Sequence, residues 1–122
     1  MTVQPGILLI DDDMGVREGL SELLSCVAPV RTADCWMKAR DVVEQEPLGL
    51  VVSDYRMRDQ QGEWELLASV HARCIPLILC TGAHPVEVRS AVSVFRPDAL
   101  MSKPFSVDEM MGAVQRLYRK GA

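Results

Sequence analysis

Short runs of consecutive apolar residues alternate along the chain with longer stretches in which apolar residues recur every three or four positions. The first pattern is typical of strands buried on both faces, and the second of helices that pack one face on a core. The alternation occurs five times, which predicts a parallel sheet with helices on both sides. The predicted strands lie near residues 7–11, 29–33, 49–54, 75–80 and 98–102, and the predicted helices near residues 14–27, 35–46, 63–73, 85–95 and 106–119.

The order of the strands is predicted from the arrangement that is common for such a sheet. Crossovers between parallel strands are right-handed, and five strands of this kind commonly take the order 2-1-3-4-5. We therefore predict an α/β chain, a flavodoxin-like doubly wound parallel sheet with five helices, forming a single domain over residues 1–122. In that order strands 1 and 3 are neighbours, and ligands bind beyond the carboxyl ends of strands at such a switch point.

Composition excludes several classes of function. The net charge is −4 and Lys and Arg form no cluster, which argues against direct binding to nucleic acid. No apolar stretch approaches the ~20 residues of a membrane span, and no signal-peptide pattern follows Met1, so we expect a cytoplasmic location without membrane contact. The spacing of the four cysteines matches no metal or redox motif, and Cys26 and Cys80 are expected to be small core residues.

Acidic residues directly follow two of the predicted strands. Asp11, Asp12 and Asp13 come after the first strand, and Asp54 ends the third. Carboxylates that lie close together repel one another, so such a cluster needs protons or a cation. A set of oxygen ligands at a partly open site favours a hard ion such as Mg²⁺. The sequence therefore predicts a magnesium site at this edge of the sheet.

Polar residues also follow the last two strands: Thr81 after the fourth, and Lys103-Pro104-Phe105 after the fifth. With the pair Asp11-Asp12 and with Asp54, they resemble, in order and over essentially the whole chain, the receiver domain of bacterial two-component response regulators. The resemblance implies that Asp54 accepts a phosphoryl group from a sensor histidine kinase or a histidine phosphotransfer protein. It implies a signalling domain and not an enzyme, beyond self-catalysed phosphotransfer and autodephosphorylation, with output by conformational shift or phosphorelay.

The same resemblance assigns roles to the other site residues. Thr81 and Lys103 would act as catalytic groups at phosphate oxygens, and the Lys103–Pro104 peptide bond would be cis. The metal, Mg²⁺ or alternatively Mn²⁺, would be held by four oxygen groups: those of Asp11, Asp12, Asp54 and the backbone carbonyl of Arg56.

The chain departs from the family pattern at two positions. Arg58 stands where a Pro is usual, which predicts a more mobile loop after Asp54. Leu100 stands where the family often has a Tyr or Phe that turns inward as Thr81 moves, so the usual aromatic switch is expected to be weakened. Arg56 places a long cation beside the phosphate path, and we expect it to alter the lifetime of the acyl phosphate.

Two other functions stay open at this point. One is a receiver-like interaction module that is never phosphorylated. The other is a haloacid-dehalogenase-like phosphatase, because Asp11 and Asp13 have the Asp-x-Asp spacing; against it, no acidic pair follows the fourth strand. We otherwise expect Asp13 to cap the first helix. The resemblance allows a homodimer and implies a kinase-docking surface on the first helix, formed by Arg17, Glu18 and Ser21.

Overall fold

The structure, a computed structural model, describes residues 4–55, 63–82, 89, 93 and 96–119. Its strands are β1 (Gly6–Ile10), β2 (Val30–Ala33), β3 (Leu48–Asp54), β4 (Leu77–Thr81) and β5 (Ala99–Ser102). The helices of this described part are α1 (Met14–Leu24), α2 (Trp36–Gln45), α3 (Glu63–Ala72) and α4 (Val107–Leu117). The helix predicted near residues 85–95 lies outside the described residues, apart from the helical residues 89 and 93.

All strand pairs are parallel, and the strand order is β2-β1-β3-β4-β5. The predicted doubly wound sheet is therefore confirmed. β1 and β3 are neighbours, so the chain leaves them in opposite directions and a crevice forms beyond their carboxyl ends. Within the described ranges, no helix is both long enough and apolar enough to cross a membrane.

The core consists of two apolar layers, one on each face of the sheet. Alternate residues of β1 point to opposite faces, so Leu8 and Ile10 belong to one layer while Ile7 and Leu9 belong to the other. Helices α2 and α3 cover the first layer, in which Trp36 is buried, and helices α1 and α4 cover the second. Burial on both faces explains why β1, β3 and β4 contain continuous apolar runs, whereas the edge strands β2 and β5 are partly exposed.

One cysteine prediction is wrong and one is confirmed. Helix α1 ends at Leu24, three residues before its predicted end, and the turn that follows exposes Cys26. In that turn the backbone N–H of Cys26 donates to the carbonyl of Leu23, three residues earlier. Such 3₁₀-type hydrogen bonds are common at helix ends. Cys80 lies inside β4 and is buried, as predicted.

Side-chain caps begin two of the helices. The Oδ1 atom of Asp13 accepts a hydrogen bond of 3.1 Å from the Val16 N–H, so Asp13 is the N-cap of α1, as predicted. Ser106 caps α4 in the same way, since its Oγ atom accepts a hydrogen bond of 3.0 Å from the Glu109 N–H. These caps determine where the chain leaves β1 and enters α4.

The segment after α4 crosses the amino edge of the sheet. The Arg119 N–H donates to the Gly49 carbonyl at 3.1 Å, and the Tyr118 hydroxyl donates to the carbonyl of Pro5. A Cβ atom at Gly49 would overlap the Arg119 carbonyl and the Tyr118 ring. Glycine therefore permits a close backbone approach that holds residues 118–119 against β3.

Candidate functional site

The predicted site residues converge at the carboxyl edge of the sheet. Asp11 directly follows β1, while Asp54 and Thr81 are the last residues of β3 and β4. Lys103 directly follows β5, where Ser102 is paired with Thr81. Because parallel neighbouring strands end at the same edge, residues distant in the sequence meet here.

Three carboxylates form the centre of the site, which we call the acidic pocket: Asp11, Asp12 and Asp54. One oxygen atom of each lies within 4.8 Å of an oxygen atom of the other two. Asp11 is buried, whereas Asp12 and Asp54 are partly exposed, so the pocket opens toward solvent on one side. The Oδ1 atom of Asp11 accepts a hydrogen bond of 2.9 Å from the Asp13 N–H, which orients this carboxylate.

Lys103 supplies positive charge to the acidic pocket. Its Nζ atom lies 2.9 Å from Oδ1 of Asp54 and 3.5 Å from Oδ2 of Asp11. The side chain of Asp54 is 12% exposed and that of Lys103 is 32% exposed, so water screens this pair less than a surface pair. One ammonium group contacts two of three carboxylates, and the pocket keeps an excess of negative charge.

The pKa of Asp54 reflects this excess. Burial raises the pKa of its carboxyl group above the ordinary Asp value, and the charges of Asp11 and Asp12 raise it further. The hydrogen bond and charge of Lys103 act in the opposite direction but do not compensate. The ionised form of Asp54 is therefore less favourable in this pocket than in water.

The pKa of Lys103 shifts in the direction expected for an acidic surrounding. Burial alone would lower the pKa of its ammonium group. The hydrogen bond to Asp54, together with the charges of Asp54 and Asp11, outweighs burial and raises the pKa above the ordinary Lys value. Lys103 is therefore a cation at neutral pH and orients Asp54 as an ion-pair partner.

The donor set of the acidic pocket fits a hard divalent cation. All its groups are carboxylate oxygens, the donors preferred by Mg²⁺, and they lie close enough to share one ion. Partly exposed Asp12 leaves room for the water ligands that Mg²⁺ retains. The backbone carbonyl of Arg56, predicted as a further ligand, lies outside the described residues, as does Arg58.

A backbone hydrogen bond connects the ends of β4 and β5. The Lys103 N–H donates to the Thr81 carbonyl at 2.8 Å, and the Lys103–Pro104 peptide bond is cis. Thr81 is buried at this edge, and exposed Gly82 follows it. The structure thus brings Thr81 and Lys103 to the same side of the acidic pocket.

Sequence reasoning missed one contact of the site. Arg17, predicted only as part of a docking surface, is partly buried, and its Nη1 atom donates to the backbone carbonyl of Asp11 at 2.7 Å. This bond attaches helix α1 to the turn that carries Asp11 and Asp12. A cation four residues after a helix N-cap was the available signal, but only the packing of α1 on the sheet shows which oxygen it contacts.

Two other predicted residues take positions outside the acidic pocket. Asp13 caps α1 and does not belong to the carboxylate cluster found among the described residues. Leu100 lies in β5 with 46% of its surface exposed, beside a groove between β5 and α4. It contributes an aliphatic side chain, without a ring or hydroxyl, to that surface.

A five-stranded 2-1-3-4-5 sheet with an acidic pocket and a facing lysine at its switch point defines the receiver class of signalling domain. The chain belongs to the response regulator receiver domain family, which matches residues 7–115. Receiver domains are components of two-component systems, so the predicted family is confirmed, and the phosphatase alternative is not pursued further.

Known proteins and structures agree with this assignment. The C4-dicarboxylate transport transcriptional regulatory protein DctD of Pseudomonas aeruginosa is 35% identical over 118 residues, covering 93% of this chain and 25% of DctD. The transcriptional regulatory protein GltR of the same species is 28% identical over 119 residues, covering 93% of this chain and 49% of GltR. The chain thus spans about half of GltR and a quarter of DctD.

A similar solved structure is the signal receiver domain of an HD domain-containing protein from Pseudomonas fluorescens Pf-5. It has a TM-score of 0.83 and 25% sequence identity, covering 96% of this chain and 88% of that chain.

Proposed function

We propose that Asp54 accepts a phosphoryl group from a phosphohistidine of a sensor histidine kinase or a histidine phosphotransfer protein. The observation that carries the proposal is the position of Asp54 between two acids and a lysine, with its carboxylate 2.9 Å from the Lys103 ammonium group. Oxygen ligands on one side and a cation on the other suit a reaction that depends on alignment and charge neutralisation. Family membership supports the same role.

The chemical step is a transfer between two nucleophiles. An oxygen of Asp54 forms a bond to phosphorus while the phosphorus–nitrogen bond of the phosphohistidine breaks, and the histidine nitrogen leaves with the bonding electrons. Lys103 is placed to exchange its contact with Asp54 for a contact with a phosphate oxygen. Thr81, at the end of the adjacent strand, is placed to donate its hydroxyl to another phosphate oxygen.

Asp11, Asp12 and Asp54 would hold Mg²⁺, with Mn²⁺ as an alternative, and the bound ion would neutralise charge on the phosphoryl group. Before a donor binds, Lys103 is paired with Asp54 and limits the rotation of its carboxylate. Arg17 keeps the turn carrying Asp11 in place through the Asp11 carbonyl. These contacts position the acidic pocket before a donor arrives.

The partner surface that we propose lies beside the acidic pocket on α1. Met14 begins this helix with 63% of its surface exposed. It borders a shallow depression that Arg17, Glu18, Ser21 and Glu22 also line. An apolar residue surrounded by charged residues suits docking of a helical kinase domain. With such a partner, this chain would act in the cytoplasm.

Incubation with acetyl phosphate and Mg²⁺, followed by intact-mass measurement, tests the proposal. One phosphate should add to the parent chain and to Asp108→Asn, a control that removes an exposed acid from α4. Asp54→Asn should gain none, and removal of the metal by a chelator should abolish the gain. A phosphorylated Asp54→Asn chain would refute the assignment, and an unmodified parent chain would favour the interaction-module alternative.

A further inference from the structure

A second cavity lies at the opposite edge of the sheet from the acidic pocket. Its volume is about 320 Å³, and we call it the amino-edge pocket. Leu77 at the start of β4 lines it, whereas Thr81 at the end of the same strand borders the acidic pocket. At about 3.3 Å per residue the two strand ends are about 13 Å apart, so the cavities are separate.

The floor of the amino-edge pocket is apolar. It includes the buried residues Val70, Pro76 and Leu77, together with partly buried Ile75. A volume of this size is at the lower end of the range for small-molecule sites, which combine apolar walls with a few polar groups. The pocket therefore suits a ligand with a compact apolar portion.

Cationic side chains line the rim. Arg96 and Arg119 carry permanent charge, and His71 adds a ring that can donate a hydrogen bond. Across the described ranges, neither guanidinium group forms an ion pair or hydrogen bond, so their donors are available to a ligand. Guanidinium groups bind carboxylate and phosphate oxygens in pairs of parallel hydrogen bonds.

The acidic residue of the lining is already engaged. Asp98 accepts a hydrogen bond of 2.9 Å from the Leu77 N–H through Oδ2, and its own N–H donates to the Leu77 carbonyl at 2.8 Å. These two bonds attach the start of β5 to the start of β4. The carboxylate therefore has a structural role in the sheet, and the cations of the rim outnumber it.

Two residues of the lining have backbone conformations that favour glycine. Cys74 has a φ of 56° and Arg96 a φ of 47°, and they are the non-glycine residues with positive φ in the part of the chain that is described. At Cys74 a Schellman cap accounts for the backbone, since the N–H groups of Cys74 and Ile75 donate to the carbonyls of His71 and Val70.

The cap does not account for the side chain, because glycine is the usual residue at this position and a Cβ atom is disfavoured in the left-handed conformation. Cys74 and Arg96, the two residues with positive φ, both line the amino-edge pocket. Non-glycine residues with positive φ cluster at ligand sites, where the surrounding structure holds them in the strained conformation.

We propose that the amino-edge pocket binds a small organic anion. Its carboxylate or phosphate group contacts Arg96 and Arg119, and its apolar portion lies on Val70, Pro76 and Leu77. The contact between Arg119 and Gly49 makes such binding sensitive to the position of the segment after α4. The proposal is independent of phosphorylation at Asp54.

Titration of the full chain with phenylphosphonate, which cannot donate a phosphoryl group, tests the proposal by backbone amide NMR without Mg²⁺. The amides of Cys74, Leu77 and Asp98 should shift in a saturable manner, and those of Asp11 and Asp12 should not. Benzoate in place of phenylphosphonate shows whether the pocket favours a carboxylate or a phosphate-like group. Inorganic phosphate has the anionic group without the apolar portion, and benzyl alcohol has the ring without the charge. Each should bind at least about tenfold more weakly than the favoured organic anion.

Arg96→Gln and Arg119→Gln should each weaken binding of the favoured anion by about tenfold or more, since each removes a charge-assisted contact. Arg73→Gln is the matched control, because exposed Arg73 lies next to Cys74 but does not line the pocket, and it should leave affinity within about twofold. Absence of saturable shifts with both organic anions, equal binding of inorganic phosphate, or equal losses in Arg73→Gln would overturn the proposal.

Discussion

The ammonium group of Lys103 lies 2.9 Å from the carboxylate of Asp54, although Lys103 follows β5, Asp54 ends β3, and β4 lies between these two strands. The contact spans the width of two strand spacings because the long lysine side chain extends across the end of β4. It connects the outermost strand of the sheet to the candidate phosphoacceptor, and it makes Lys103 sensitive to any change in the charge of Asp54.

Replacement of Lys103 by Met should slow phosphorylation of Asp54 by acetyl phosphate by about 100-fold, since a preorganised cation at the phosphoryl group is lost. Lys38→Met is the matched control, because Lys38 forms an ion pair of the same length with Asp34 on the surface. That pair is exposed to solvent, and its loss should not change the rate. The measurement is the rate of mass gain; equal rates in both variants would contradict the role of Lys103.

Mg²⁺ should raise the thermal stability of the parent chain, because the acidic pocket keeps an excess of negative charge beside the single ammonium group of Lys103. A ligand at 100 times its Kd adds about 2.7 kcal/mol to the free energy of unfolding. Without Mg²⁺, Asp12→Asn should be more stable than the parent, because the repulsion of Asp12 by Asp11 and Asp54 is removed. It should gain less stability from Mg²⁺, because one carboxylate ligand is lost. Calorimetry with NaCl of equal ionic strength provides the comparison, and Asp41→Asn, which removes an exposed acid, should behave as the parent.

The raised pKa of Asp54 predicts a pH dependence of stability in the absence of divalent cations. The folded chain holds the Asp54 proton more strongly than the unfolded chain, whose Asp pKa is about 3.9. The contribution of Asp54 to the free energy of unfolding therefore falls as pH rises from that value through the folded pKa, and stays constant above it.

As pH rises through this window, the free energy of unfolding of the parent should consequently fall relative to that of Asp54→Asn, which has no carboxyl group at this position. Urea unfolding at a series of pH values measures this difference. A difference that shifts the other way would mean that Lys103 dominates the surroundings of Asp54 and lowers its pKa.

Gly49→Ala should destabilise the fold by about 1–3 kcal/mol, since its Cβ atom would overlap the Arg119 carbonyl and the Tyr118 ring. Gly112→Ala is a suitable control, because a Cβ atom there meets no other atom within 4 Å. As an alanine inside helix α4 it should instead stabilise the chain by about 0.4–1 kcal/mol. Urea unfolding of both variants checks the prediction, which fails if Gly49→Ala is as stable as the parent.

Much of the fold could be predicted from local patterns. The apolar runs of β1 and β3 determine strands buried on both faces, and the period of α1 and α4 determines which faces they bury. Asp13 and Ser106 are caps by residue type and spacing, which are local properties. The exposure of Cys26 was not predictable in this way, because the end of α1 depends on how the following turn packs.

By itself, the sequence determined the strands through their apolar runs, and through them the placement of Asp11 and Asp54 at strand ends. Right-handed crossovers reduce the number of possible strand orders, and the order 2-1-3-4-5 was predicted because it is common for five such strands. Only the tertiary structure decided which groups touch. The contact of Lys103 with Asp54, the bond from Arg17 to the Asp11 carbonyl, and the cations of the amino-edge pocket all join residues from different elements. Such contacts depend on strand register and helix packing, which no local stretch of sequence specifies.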